Sequence, residues 1–308
     1  MRINYLVLLF ILSIYTVHGQ INPLVTVDTL AQKNWVETTY SQMSLDERLG
    51  QLFMVMVTSD QDKASTERTK KLIKEHHIGG VIFSTGGPVR QAQLTNDFQR
   101  NSKVPLMIGM DAEWGLAMRL DSTYAFPWNM TLGAIKDNAI VEKVGHRIGE
   151  HAKRLGVHIN FAPDIDININ PQNPIIGNRS FGEDRENVAQ KGIAYMRGME
   201  KAGVLSSGKH FPGHGDTAVD SHKALPVIDF TRERLDSIEL YPYRKLIKEG
   251  LSSVMVAHLS VPSLEIKEGH PSSLSEQIIG DVLQEQLNFK GLVFTDALNM
   301  KGVSNFAK

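Results

Sequence analysis

The sequence predicts an α/β protein built as a (β/α)8 TIM-type barrel that is incomplete at its C-terminus. Three observations lead there: short strands apolar on both faces recur along the chain, amphipathic helices separate them, and polar residues fall just after successive strands. Strands of that kind belong to parallel sheets covered on both sides. Alternating βα units at this length favour a barrel over an open doubly wound sheet, because the C-terminal ends of barrel strands gather their polar groups at one rim.

In chain order the strand candidates are Leu52–Val57, Val81–Phe83, Leu106–Met110, His158–Ala162, Val204–Ser207, Ser253–Ala257 and Leu292–Thr295. Between them the helix candidates are Glu67–His76, Arg90–Asn101, Ile140–Leu155, Glu186–Ala202, Arg234–Lys248 and Ser275–Leu287. In the third helix Ile140, Val144, Ile148 and Leu155 share a face, while Glu142, Lys143 and Arg147 lie elsewhere, as in a helix packed on one side. Ser44-Leu45-Asp46-Glu47 has the spacing of a capping box opening a short helix before the first strand. Gly156, Gly203 and Gly250 directly follow helices, where a left-handed residue ends the last turn. Only seven strands can be counted before Lys308, so the eighth βα unit is expected to be missing.

Residues 1–20 read as an export signal, with Arg2 at the start, an apolar run from Tyr5 to Ile14, and Val17-His18-Gly19 before Gln20. That run is too short to span a membrane. The expectation is a periplasmic or extracellular protein whose residues 21–308 form the barrel. With 33 Lys and Arg against 34 Asp and Glu, and no basic run, the chain is not built to track phosphates, so nucleic acid is not an expected partner. It has no cysteine, which rules out disulfides and thiol chemistry.

Asp111 follows the third strand, Asp164 and Asp166 the fourth, Lys209 and His210 the fifth, His258 the sixth and Asp296 the seventh. Two chemistries compete for such a rim. His210, His214, Asp216, Asp220 and His222 are metal-ligand types. However, Pro212 and Gly213 keep His210 and His214 off a shared helical face, and no ligand spacing is diagnostic; no metal or cofactor is expected. The other chemistry is glycoside hydrolysis, which needs a carboxylate below the anomeric carbon and a proton donor beside the leaving oxygen. Asp296 suits the first role, although an ordinary helix cap is its blander reading. Glu113 and Glu183 are carboxylic candidates for the second. Asp220-Ser221-His222 suits it better, because Asp220 can fix the tautomer of His222 and favour its imidazolium.

These residues resemble the family 3 glycoside hydrolases, in particular their β-N-acetylhexosaminidase branch. The matching segments run in family order. They are Asp111-Ala112-Glu113-Trp114-Gly115 through Arg119; Asn160-Phe161-Ala162-Pro163-Asp164; Asn173-Pro174 through Gly182; Lys209-His210-Phe211-Pro212-Gly213-His214-Gly215-Asp216-Thr217 with Asp220-Ser221-His222; and Phe294-Thr295-Asp296-Ala297-Leu298-Asn299-Met300. The resemblance implies a retaining enzyme that removes terminal β-linked N-acetylglucosamine, with Asp296 as nucleophile and Asp220–His222 as acid/base. It also implies that Asp111, Arg119, Arg179, Lys209 and His210 hold the sugar hydroxyls. A β-glucosidase and an inactive sugar-binding remnant are the alternatives; the Asp220-Ser221-His222 motif argues against the first. Trp114 stands where many relatives carry glycine. Exported relatives often continue into further C-terminal domains, which are expected here too.

Overall fold

A computed structural model describes residues 23–218, Ser221, 224–304 and Phe306; the expected export segment lies outside the described residues. Seven parallel strands form one sheet in strict chain order: β1 (Met54–Val57), β2 (Gly80–Phe83), β3 (Met107–Met110), β4 (Ile159–Asn160), β5 (Leu205–Phe211), β6 (Ser253–Val256) and β7 (Leu292–Thr295). All seven expected strands are present. Residues such as Val55 opposite Val81, Ile82 opposite Gly109 and Val254 opposite Val293 fix the register.

The sheet separates two apolar layers. On its concave side Ile159, Phe161 and Met255 are buried together, with Met54, Ile82, Met107, Leu205 and Phe294 against them. Gly109 makes room for this filling, since a Cβ there would lie 2.9 Å from the Phe161 ring. The larger layer lies between the sheet and the helices and includes Val81, Phe83, Ile108, Met110, Val254 and Val256. The helices against it are α3 (Lys63–Glu75), α4 (Pro88–Asn101), α6 (Asn138–Arg154), α7 (Arg185–Lys201) and α9 (Tyr241–Lys248), with a π-type helix at Gln277–Gln286. Helix α1 (Thr29–Ser41) and the short helices α2 (Leu45–Gly50), α5 (Asn129–Gly133) and α8 (Arg232–Ser237) lie between or before these.

Local chemistry sets the helix ends. Ser44 and Glu47 form the expected reciprocal capping box at α2. Gly156, Gly203 and Gly250 take the left-handed φ expected of them, +74°, +84° and +91°. One expectation needs correction: Arg234–Lys248 is not a single helix but α8 and α9, separated at Ile238–Leu240. Pro242 is the cause. It lacks an N–H and its ring would clash with the carbonyl four residues back, so the helix restarts with Pro242 in its first turn.

Among the described residues β1 pairs only with β2, and β7 only with β6. Beside that open seam Leu52, Phe53 and Met56 are 80%, 58% and 63% exposed. Among the described residues no helix is long and apolar enough to cross a membrane.

Candidate active site

The rim is assembled from the loops that follow β3, β4, β5 and β7. Asn160, at the end of β4, fixes the first of these. Its side-chain oxygen accepts from the Ala112 N–H at 2.8 Å, and its amide donates to the Ala112 carbonyl at 3.1 Å. Tyr195 of α7 donates to the Glu113 carbonyl at 2.9 Å. Asp111 and Glu113 therefore leave a backbone pinned on both sides. On β5 the register against β6 shifts between Gly208 and Phe211, and such a bulge re-aims the side chains that it carries. Those are Lys209 and His210, joined by a cis peptide bond.

Lys209 is the hub. Its Nζ lies 2.8 Å from Asp111 Oδ1 and 2.8 Å from Glu113 Oε1. Arg179, in a tight turn at Gly177–Arg179, grips Glu113 through Nη2 at 2.8 Å and Nε at 3.0 Å. Arg119 reaches Asp111 Oδ2 at 2.6 Å. Burial works against the charges of Asp111, Glu113, Arg179 and Lys209, but the pairing outweighs it. Glu113 is held well below the ordinary carboxylate range by Arg179 and Lys209, and Asp111 is lowered by Lys209 and Arg119. Lys209 is raised in turn by Asp111 and Glu113. A fully buried, doubly paired Glu113 stays ionised. It cannot serve as the proton donor for which its position made it a candidate.

A second layer lies beneath. Asp166 accepts from the His210 ring Nδ1 at 2.7 Å and from the His214 N–H at 2.6 Å. Arg179 Nη2 donates to His210 Nε2 at 3.2 Å, so the ring carries its proton on Nδ1. Burial and the Arg179 cation lower His210 to about 4, leaving it neutral. Asp164 is pushed up to about 7 by burial and by the Asp166 charge. Its Oδ1 accepts from the Asp166 N–H, while Oδ2 is buried without a hydrogen bond, 3.6 Å from Arg179. Asp164, Asp166 and His210 offer ligand atoms within 4.8 Å of one another. The donor set suits a divalent ion poorly, however: the Arg179 cation already faces both Asp164 and His210, and the His210 proton points at Asp166.

Asp296 follows β7, half-buried, its N–H donating to the Val256 carbonyl at 2.8 Å and its Oδ1 accepting from the Ala297 N–H at 2.7 Å. Its charge acts on the His210 ring, which brings it to the same rim. His258 does not open onto the rim as expected from its place after β6. It is fully buried, with Nε2 3.0 Å from the Ala297 carbonyl and Nδ1 2.6 Å from Ser273 Oγ, so it braces the turn after Asp296. Asp220 and His222 lie outside the described residues. Ser221 between them is buried, 3.2 Å from His214 Nε2, and its carbonyl accepts from the Gly302 N–H.

Cations and carboxylates interlocked at the C-terminal rim of a parallel βα sheet can chemically serve a polyhydroxylated ligand: carboxylates can accept from O–H groups, and Arg and Lys side chains can donate. Residues 44–308 match the family described as the glycosyl hydrolase family 3 N terminal domain. The chain belongs to that family. Beta-hexosaminidase A of Pseudoalteromonas piscicida is 35% identical over 96% of this chain and 52% of its own length. The solved β-N-acetylglucosaminidase of that family from Paenibacillus sp. str. FPU-7 shares 40% identity at a TM-score of 0.80, over 86% of this chain and 51% of that one. A β-glucoside phosphorylase bound to 2FGlc shares 30% identity at a TM-score of 0.84, over 89% of this chain and 50% of that one. The chain thus spans about half the length of each of these relatives.

Proposed function

We propose that this chain carries the catalytic barrel of a retaining β-N-acetylhexosaminidase. It releases terminal β-linked N-acetylglucosamine from oligosaccharides or peptidoglycan fragments. The observation that carries the reading is the interlocked set Asp111, Glu113, Arg179 and Lys209, together with Asp296, whose charge acts on the His210 ring. The set offers fixed partners for the hydroxyls of one sugar ring, and Asp296 a carboxylate at the end of a strand. Asp111, Arg119, Arg179, Lys209 and His210 hold that ring. Asp296 attacks the anomeric carbon, and His222, oriented by Asp220, protonates the leaving oxygen and later deprotonates water. The names of the hexosaminidase relatives support the choice of sugar. Residues 1–20 direct export, on the strength of their charged start, apolar run and small end.

A second reading, transfer of glucose to phosphate, is favoured by the likeness to the phosphorylase. Turnover of aryl N-acetyl-β-glucosaminide and aryl β-glucoside, each with and without phosphate, separates the two. The expected result is turnover of the first, with free N-acetylglucosamine as product and retention at the anomeric carbon. Asp296→Ala should lower kcat by roughly 10³-fold or more while sugar binding survives, because a nucleophile acts in the transition state. An inverted product, or near-normal kcat in that variant, would overturn the assignment.

A further inference from the structure

His214 is a buried histidine that the proposed reaction leaves without a role, and its backbone is held on three sides. Its N–H donates to Asp166 Oδ1 at 2.6 Å, and its carbonyl accepts from the Asn173 side-chain amide at 2.8 Å. Gly215 beside it runs so close to the fourth βα loop that a Cβ there would lie 2.0 Å from the Ile167 carbonyl. Asp216 is held in turn by Arg234 of α8, whose Nη2 lies 3.0 Å from its Oδ2.

The hydrogen bonds around the ring define its tautomer. Thr217 Oγ1 donates its one proton to the His214 carbonyl at 3.1 Å, so toward His214 Nδ1, 2.6 Å away, it accepts. The ring proton is therefore on Nδ1. Nε2 keeps a bare lone pair, and Ser221 Oγ, 3.2 Å from it, donates to it. Ser221 is buried, and its carbonyl accepts at 3.2 Å from the N–H of Gly302, in the helical turn Lys301–Ser304 that follows Asp296. Its side chain is thus tied to the turn after β5 and its main chain to the segment after β7.

In the chain Ser221 stands between Asp220 and His222. Consecutive Cα atoms are about 3.8 Å apart, so whatever fixes Ser221 limits how far either neighbour can stray. A general acid must come within hydrogen-bond reach of the leaving oxygen, and a misplacement of about 1 Å can cost about a hundredfold in rate. We propose that His214 is a positioning residue for the acid/base pair, acting through the hydroxyl of Ser221, on which Asp220 and His222 depend for their placement. The inference rests on the proposed function and deepens it. It also gives Asp166 two duties: Oδ2 aligns the His210 ring and Oδ1 the backbone of His214. One buried carboxylate therefore sets both a residue proposed to hold the sugar and the anchor of the proposed proton donor.

The test uses the full 308-residue chain and two aryl N-acetyl-β-glucosaminides, one releasing a dinitrophenol and one a methoxyphenol. Only the second leaving group needs a proton, and kcat/KM reports the step in which it departs. Ser221→Ala removes a single hydroxyl, His214→Leu removes the acceptor, and His214→Gln returns an acceptor near the place of Nε2. Ser221→Ala and His214→Leu are expected to lower kcat/KM about tenfold or more on the methoxyphenyl substrate and less than about threefold on the dinitrophenyl one. His214→Gln should recover part of the loss, and the double variant should be no worse than the worse single one, since the two residues act as a unit. Inhibition by N-acetylglucosamine should change less than about twofold, because the residues around Lys209 are untouched. His222→Ala is the reference and should show the same selectivity between leaving groups. If it does while Ser221→Ala slows both substrates equally, or neither, the positioning role is overturned and the proposed reaction stands. If His222→Ala itself slows both equally, the acid/base assignment fails and the role of His214 with it.

Discussion

Lys209 is almost wholly buried on β5, yet Asp111 and Glu113, the carboxylates that neutralise it, come from the loop after β3. The strand between them supplies the brace, because Asn160 holds Ala112 by two hydrogen bonds. Below this group Asp164 is the residue whose ionisation the fold resists. Burial and Asp166 lift it from an ordinary 3.8 to about 7, against the pull of Arg179 and His210. Between those values the folded chain keeps a proton that the unfolded chain releases. The contribution of Asp164 to stability is therefore full below pH 4 and falls as pH rises toward 7. Asp164→Asn removes that slope. Urea unfolding from pH 4 to pH 7 should show the stability of the native chain declining relative to the variant, by a few kcal/mol at most. A constant difference across the window would mean that Asp164 is ionised throughout. The comparison with the variant is needed because neutral His210 and His214, both lowered to about 4 mainly by burial, contribute with the opposite sign below pH 6.5.

Among the elements, α6 and α7 pack closely, and glycine permits it. A Cβ on Gly198 would lie 2.0 Å from the Glu142 carbonyl, and one on Gly145 2.3 Å from the Tyr195 carbonyl. Backbone atoms cannot yield as a side chain can, so Gly198→Ala should push the helices apart. The expected cost is about 1–3 kcal/mol, measured as a lowered denaturation midpoint. Because Tyr195 of α7 holds the Glu113 backbone, sugar affinity should weaken in the same variant. The strands were legible because each is apolar on both faces and bounded by helices, and the rim residues because each follows a strand. Helix α1 was not: it buries no residue, so its sequence carries no apolar stripe to read. The break before Pro242 was written in the chain but overridden by the apolar periodicity around it. Glu113 looked like a candidate acid because sequence shows what precedes a residue, not that Arg179, 66 positions away, closes over it.

At the scale of the whole molecule, the sheet has two free edges among the described residues, β1 and β7. Each is a row of unpaired N–H and C=O groups beside apolar side chains, and such edges template association with other chains. Leu52, Phe53 and Met56 lie exposed along one of them. The 308-residue chain alone is expected to self-associate as its concentration rises, seen as growth of mass by light scattering. Phe53→Lys with Met56→Lys should suppress this, since charge on an edge discourages pairing. A chain that stays monomeric at high concentration without those changes would show the seam to be closed.

The position of Asp296 gives that seam a further meaning. β3, β4 and β5 are bonded on both sides, whereas among the described residues β7 is held by β6 alone. Amide hydrogens in the middle of the sheet should exchange with solvent only when the whole molecule opens. Those of Leu292–Thr295 are released by local opening at a far smaller free energy. Under the proposed function, the residues that would hold the hydroxyls therefore rest on slowly exchanging strands, and the proposed nucleophile Asp296 follows one that is expected to open more readily. Whatever pairs with that edge of β7 should slow exchange there and, by the same bonds, steady Asp296 relative to the residues around Lys209.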